Sequence, residues 1–202
     1  MISSWVKRLQ RKIELRQYDD FTIGEYFRKQ GAQIGKNNRI LIRSLGESPQ
    51  LIAIGDHCTI SFGVALLTHD GAGWIFTEEI PSLQRFGTIR ILDNCFVGAQ
   101  AMLLPDVQVG PNAIVGARAV VTKNVAPGTI VAGNPARVIS TVDALKKKMI
   151  HLWNKQKPQG YLSDLHEGTV YHPKTIQQAK QRDREMLEKH LERVFLIRQY
   201  DS

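Results

Sequence analysis

One histidine of this chain sits among residues that suit acid–base chemistry. It is His69, in the string Leu66-Leu67-Thr68-His69-Asp70-Gly71, and Trp74, Phe76, Glu78, Glu79 and Ser82 follow it. An imidazole titrates near neutrality, so a positioned histidine takes a proton well from an attacking hydroxyl or amine. Asp93, Glu78 and Glu79 are the carboxylates that would orient such a base or bind the acceptor. Asp70, Trp74, Glu78 and Ser82 are the candidates for holding a substrate. On residue types alone, the plainer reading of a loop histidine satisfied by its neighbours still comes first. Metal chemistry needs three converging ligands. His57 is the only other histidine before residue 140, and His151, His166, His172 and His190 fall in the tail, so no metal site is expected.

The elements that must position His69 are announced by a period of six. Aliphatic residues recur at Ile91, Val97, Leu103, Val109, Val115 and Val121, and upstream at Ile54, Ile60 and Leu66, with a weaker Ile34 and Ile40. Four positions after these stand Cys58, Val64, Cys95, Ala101, Val107, Ala113, Ala119 and Val125, small or apolar, and only Asp70, where the pattern breaks, departs. Six fits neither a helix of 3.6 nor a lone strand of 2. It suits a chain that bends after each very short strand, and turn formers fill the middles: Asp56-His57, Asp93-Asn94, Pro105-Asp106 and Pro111-Asn112. Three hexapeptides close a coil of 18 residues, stacking Ile91 with Val109, Val97 with Val115 and Leu103 with Val121. The register breaks once inside this run. After Leu66 it resumes only at Ile91, 25 positions on, which is six plus a 19-residue insertion opening at His69. A loop of that length in a compact domain is usually functional.

Helices are expected at both ends. Val6, Leu9 and Ile13 mark an amphipathic helix behind a possible Ser3 cap, and Thr22 to Glu25 has capping-box spacing before a short helix stopped by Gly31. Val142, Leu145, Met149, Leu152 and Trp153 mark a third, ended by Pro158 and Gly160. A second capping box at Thr175 precedes one long helix with Ile176, Ala179, Met186, Leu187, His190, Leu191, Val194 and Phe195 on one side. The expected organisation is a helical segment 1–30, a coil domain 31–139 with its insertion at about 69–90, and a helical extension 140–202.

The unbroken register, the His69 loop and the string Val131-Ala132-Gly133-Asn134-Pro135-Ala136-Arg137-Val138 together resemble the hexapeptide-repeat acyltransferases, over roughly residues 31–139. The loop is similar to that of the subgroup acting on surface-polysaccharide sugars. The resemblance implies a mainly β fold, a left-handed parallel β-helix with flanking helices; the hand comes from the resemblance, since ordinary parallel crossovers are right-handed. It implies a CoA-dependent transferase, acetyl most of all, acting on a sugar hydroxyl or amine, with His69 as general base. It further implies that Gly98, Ala99, Gly116 and Ala117 line the pantetheine arm of acetyl-CoA, while Arg118, Lys123 and Arg137 meet its phosphates. Gly133 would continue the inner column at the CoA groove. The small residues are explained equally well by corner geometry. Homotrimers with sites between subunits are implied as well, and the alternative is a non-catalytic hexapeptide-repeat scaffold.

The bulk composition is that of an ordinary soluble globular protein. The chain has 202 residues, 43% hydrophobic and 23% charged, with no run long enough to span a bilayer and no signal-peptide pattern, so a cytoplasmic location is expected. Cys58 and Cys95 make no disulfide framework. The net charge of +8 sits at the ends, +3 over residues 1–30 and +4 over 140–202, against +1 between. Those charges are interleaved with acids, so no nucleic-acid partner is expected. Association of the basic N-terminal helix with a membrane surface is conceivable, but packing against the coils or a neighbouring subunit is the first expectation.

Overall fold

A computed structural model describes residues 4–166, 168–169 and 171–195. Its two compact units divide between Val142 and Asp143. The first unit is a parallel β-helix with three faces, because each six-residue period supplies one strand of two or three residues and one corner. The first face stacks Gln33–Ile34, Ile52–Ile54, Ile89–Ile91 and Val107–Val109. The second stacks Arg39–Ile40, Thr59–Ile60, Phe96–Val97, Ile114–Val115 and Thr129–Ala132. The third stacks Ala65–Leu66, Met102–Leu103 and Val120–Val121. All these strands pair in parallel, and the expected partners are the observed ones: Ile91 with Val109, Val97 with Val115, Leu103 with Val121.

The interior is set by alternation: a two-residue strand turns one residue inward, and Ile52–Ile54, Ile89–Ile91 and Val107–Val109 bury both ends around an outward middle residue. Ile60, Ile89, Val97, Leu103, Val109 and Val115 are fully buried, as are the small Ala101, Ala113 and Ala119 beside the corners. Each large aliphatic side chain so buried contributes about 1.5–3 kcal/mol. The corners need left-handed backbone at one fixed place. Asn37, His57, Asn94, Gln100, Asp106, Asn112 and Arg118 all have φ between 55° and 67°, and each follows its inward aliphatic residue by three positions. Asn and Asp tolerate this conformation best. Their side chains then form ladders along the corner: Asn94 Nδ2 donates to Asn112 Oδ1 at 2.6 Å, and His57 Nδ1 lies 2.8 Å from Asn94 Oδ1. Cys58 and Cys95 are buried free thiols, with Sγ atoms 3.0 and 2.9 Å from the carbonyls of Leu92 and Gly110. Contact with Cys95 and burial push the Cys58 thiol well up, so it is a packing residue and no nucleophile.

Helix α1 spans Ser4–Leu15 and α2 spans Ile23–Lys29. α2 closes the first end of the coils, with Ile23 and Phe27 fully buried in the same core as Ile34. Thr22 does not cap it as the spacing suggested. Its hydroxyl is held by Asp19 instead, whose Oδ1 accepts it at 3.0 Å and the amides of Phe21 and Thr22 at 2.9 Å, closing the turn that leads into α2. At the far end the inward position after Val115 is Val131, not Gly133. Gly133 is exposed at φ 94° in the turn that reverses the chain into Arg137–Thr141, the one antiparallel strand on that face.

The second unit contains α3 (Val142–Gln156, its first residue in the coil unit), α4 (Pro173–Arg182) and α5 (Arg184–Phe195). The expected long last helix is two. His172, rather than Thr175, caps α4, its Nδ1 accepting the Lys174 amide at 3.1 Å. The break comes at Asp183, whose carboxylate accepts the Leu162 amide at 2.9 Å while Arg182 bridges to Asp164. Arg182 holds the Asp164 carboxyl down at about 2. The proposed Ser3 cap, and the Val194 and Phe195 side chains, lie outside the described residues. Among the described residues no helix is long and apolar enough to cross a membrane.

Candidate active site

The insertion leaves the coil at one corner and returns to it. Thr68 is buried at that corner, and its carbonyl accepts the Gly87 amide at 2.9 Å, which closes the excursion at its base. Gly87 must be glycine, since a Cβ there would stand 2.5 Å from Asp106 Oδ1 on the next coil. The expected structureless loop has structure of its own. His69–Asp70 pairs antiparallel with Arg85–Phe86, and Asp70 Oδ1 accepts the Ala72 amide at 2.9 Å to turn the chain into a 3-10 segment, Gly71–Phe76. His69 and Phe86 rings lie 6.4 Å apart, and Arg85 reaches Asp106 at 3.8 Å. The histidine is therefore exposed yet held at the lip of the rigid stack.

A cleft of about 410 Å³ opens beside it, lined by Glu47, His69, Asp70, Trp74, Thr77, Arg85 and Phe86 among others. Of the residues expected near His69, the structure brings Asp70 and Trp74 into this cleft. Glu78, Glu79 and Ser82 are exposed on the excursion and do not line it. Asp93 is on a different corner, where its Oδ1 accepts the Asp56 amide at 2.8 Å and so ties one coil to the next. Its carboxylate is committed to the corner, not to the imidazole. Glu47 and Arg85 are the cleft charges that the pattern search passed over. A signal for Glu47 existed: Ile34 pairs with Ile54 and Ile40 with Ile60, each 20 residues on rather than 18, so a smaller slip lies between them. That slip carries Gly46 at φ 82°, within 3.9 Å of the Leu66 carbonyl for a Cβ placed on it, and Glu47 next to it.

The small residues expected to line an acyl carrier come together at another corner. Gly98 and Ala99 lie beside Gly116 and Ala117 of the following coil, and the Arg118 amide donates to the Ala99 carbonyl at 2.8 Å. Gly133 extends this corner by one coil, its carbonyl accepting the Val120 amide at 3.0 Å. Close packing alone demands Gly98, where a Cβ would meet the Ala117 nitrogen at 2.5 Å. Gly116 has more room, with the Ala132 Cβ at 3.0 Å. Arg118 is exposed and bonded through Nε to Gln100 at 2.8 Å, and Arg137 bonds the Ala136 carbonyl at 2.9 Å. Lys123 belongs elsewhere, to the corner from which the His69 excursion springs, beside Asn124. Within one chain, then, His69 and the small-residue corner stand on opposite margins of the third face.

A three-faced parallel coil of hexapeptides with a histidine excursion defines a class of transferases. Residues 88–123 match the family described as bacterial transferase hexapeptide (six repeats). The chain is 38% identical to protein CapG of Staphylococcus aureus over 137 residues, 66% of this chain and 80% of that one. It is 33% identical to a chloramphenicol acetyltransferase of Escherichia coli over 118 residues, half of this chain and 56% of that one. A solved hexapeptide-repeat-containing acetyltransferase of Vibrio cholerae shares the fold, with a TM-score of 0.51 at 20% identity over 70% of this chain and 94% of its own. The chain belongs to the bacterial hexapeptide-repeat transferases, and acetyltransferases are prominent among its relatives.

Proposed function

We propose that this transferase moves an acetyl group from acetyl-CoA directly to a hydroxyl or amine of a sugar, with His69 as the general base. The observation that carries the reading is the cleft: an exposed imidazole at its lip, with an aromatic wall, Trp74 and Phe86, and carboxylates, Glu47 and Asp70, around it. Aromatic faces and carboxylates together suit a polar ring bearing hydroxyl or amino groups. In the reaction His69 takes the acceptor proton as its oxygen or nitrogen attacks the thioester carbonyl, and the thiolate of CoA leaves. Glu47, rather than Asp93 or Glu79, is the carboxylate that binds the acceptor or orients the base. The pantetheine arm lies along Gly98, Ala99, Gly116 and Ala117, and Arg118 and Arg137 meet its phosphates.

The coil is left-handed and the protein a homotrimer on this reading. Three-fold packing brings the small-residue corner of one subunit against the His69 corner of the next, which reconciles their separation within one chain. Lys123, on the His69 corner, then faces the neighbour's carrier. The work is done in the cytoplasm, where acetyl-CoA is made. The surface-polysaccharide acceptor is supported by the likeness of the His69 loop to that subgroup's.

The test is thiol release from acetyl-CoA with a panel of amino and hydroxy sugars, free and nucleotide-linked, alongside His69→Ala. Acceptor-dependent release that collapses in the variant supports the reading. No release and no CoA binding by calorimetry leaves a scaffold.

A further inference from the structure

Helix α1 meets two environments. On one side Leu15 packs partly buried against the core, and Arg11 Nη2 donates to Ser44 Oγ at 3.0 Å. On the helix wheel these two lie about 40° apart, so they define the face turned to the coils. Trp5, Leu9 and Ile13 recur at steps of four, and their stripe is centred roughly 140° from that face. They are 68%, 43% and 54% exposed, so packing on the coils does not cover them. The same segment carries Lys7, Arg8, Arg11, Lys12 and Arg16 against the single acid Glu14.

These two properties select the occupant. A second copy of this segment on the stripe would set Lys12 and Arg16, which flank it, against the same two cations, which opposes self-association. An anionic bilayer offers both what the stripe needs and what the flanks need: acyl chains under a negatively charged headgroup layer. Trp5, with an apolar ring and one polar N–H, is a side chain that favours that boundary. We infer that α1 is a peripheral membrane anchor, lying in the plane of an anionic lipid surface with Trp5, Leu9 and Ile13 inserted and with Lys12 and Arg16, which flank the stripe, at the headgroups. With 12 residues α1 is too short to span a bilayer, which suits an in-plane position.

The full-length protein should co-sediment with vesicles of phosphatidylcholine containing phosphatidylglycerol, and much less with phosphatidylcholine alone. High salt should release it, because the headgroup attraction is screened. Replacing Trp5, Leu9 and Ile13 by alanine together should lower the bound-to-free ratio about tenfold or more, and so should Lys12→Glu with Arg16→Glu. These residues are exposed, so the thermal unfolding of both variants should match the parent, and light scattering should give the parent's mass. Three results overturn the inference: no preference for the anionic vesicles, binding undiminished in the alanine variant, or a lower solution mass in that variant, which would make the stripe a contact between copies.

Discussion

Ile91, Val97 and Leu103 each have their inward partner 18 positions on, whereas from Ile34 to Leu66 no inward residue does. There the spacings are 20 across the Glu47 slip and 37 across the His69 excursion, as in Ile34 with Ile54 and Ile54 with Ile91. Yet the inward residues are equally well buried in both halves: Ile60 and Val97 are each at 0%. The strands close over the extra residues because the corner where each insertion begins is held by its own bonds, such as Gly87 to the Thr68 carbonyl. The comparison teaches that the register is a property of the strands alone. The corners are free to carry length, and the two that do so are the two whose residues meet in the cleft.

The sharpest test of that division is its functional side. His69→Ala should cut transfer about 10²–10⁴-fold while leaving circular dichroism and melting unchanged, since the ring is exposed and contributes little to packing. An unfolded variant would place His69 in the scaffold instead. On the regular side, Leu103→Ala should cost about 2–5 kcal/mol in denaturant unfolding, the loss of a fully buried side chain with little room to collapse. Its counterpart on the excursion, Ile75→Ala, removes a side chain that is 75% exposed and should shift stability by about 0.5 kcal/mol or less. Equal costs would refute the contrast.

Smaller effects separate structure from binding within the regular coils. Gly98→Ala should cost about 1–3 kcal/mol because backbone lies 2.5 Å from the new Cβ. Gly116→Ala should cost less and report instead on CoA affinity, measured by calorimetry. If Gly98→Ala melts like the parent and only CoA binding falls, the corner is a ligand groove before it is a packing device. Least of all, Glu47→Gln should raise the KM for acceptor about three- to tenfold with kcat for the remaining transfer near the parent's, if the carboxylate binds rather than orients. A fall in kcat with an altered pH profile would move Glu47 to the imidazole.

Much of this was legible in the chain. A six-residue period of aliphatic and small residues marks the strands and, where it runs unbroken, the stacking partners, because the inward aliphatic recurs once per strand. The break after Leu66 fixes where the excursion lies, and His69 is its first chemically capable residue. What the pattern did not decide was which carboxylate shares space with that histidine. Glu78 and Glu79 are near in sequence but turned outward, Asp93 is bonded to another corner, and Glu47, 22 residues upstream, joins Asp70 in the cleft. Position along a coil is local information; which corners stand side by side depends on how many residues each coil has absorbed. Two helix starts were misplaced locally. Spacing pointed to Thr22 and Thr175, whereas Asp19 closes the turn ahead of α2 and His172 caps α4, each through a bond to an amide two or three residues on. Period and burial are written residue by residue, but the meeting of distant side chains is settled only when the coils have closed.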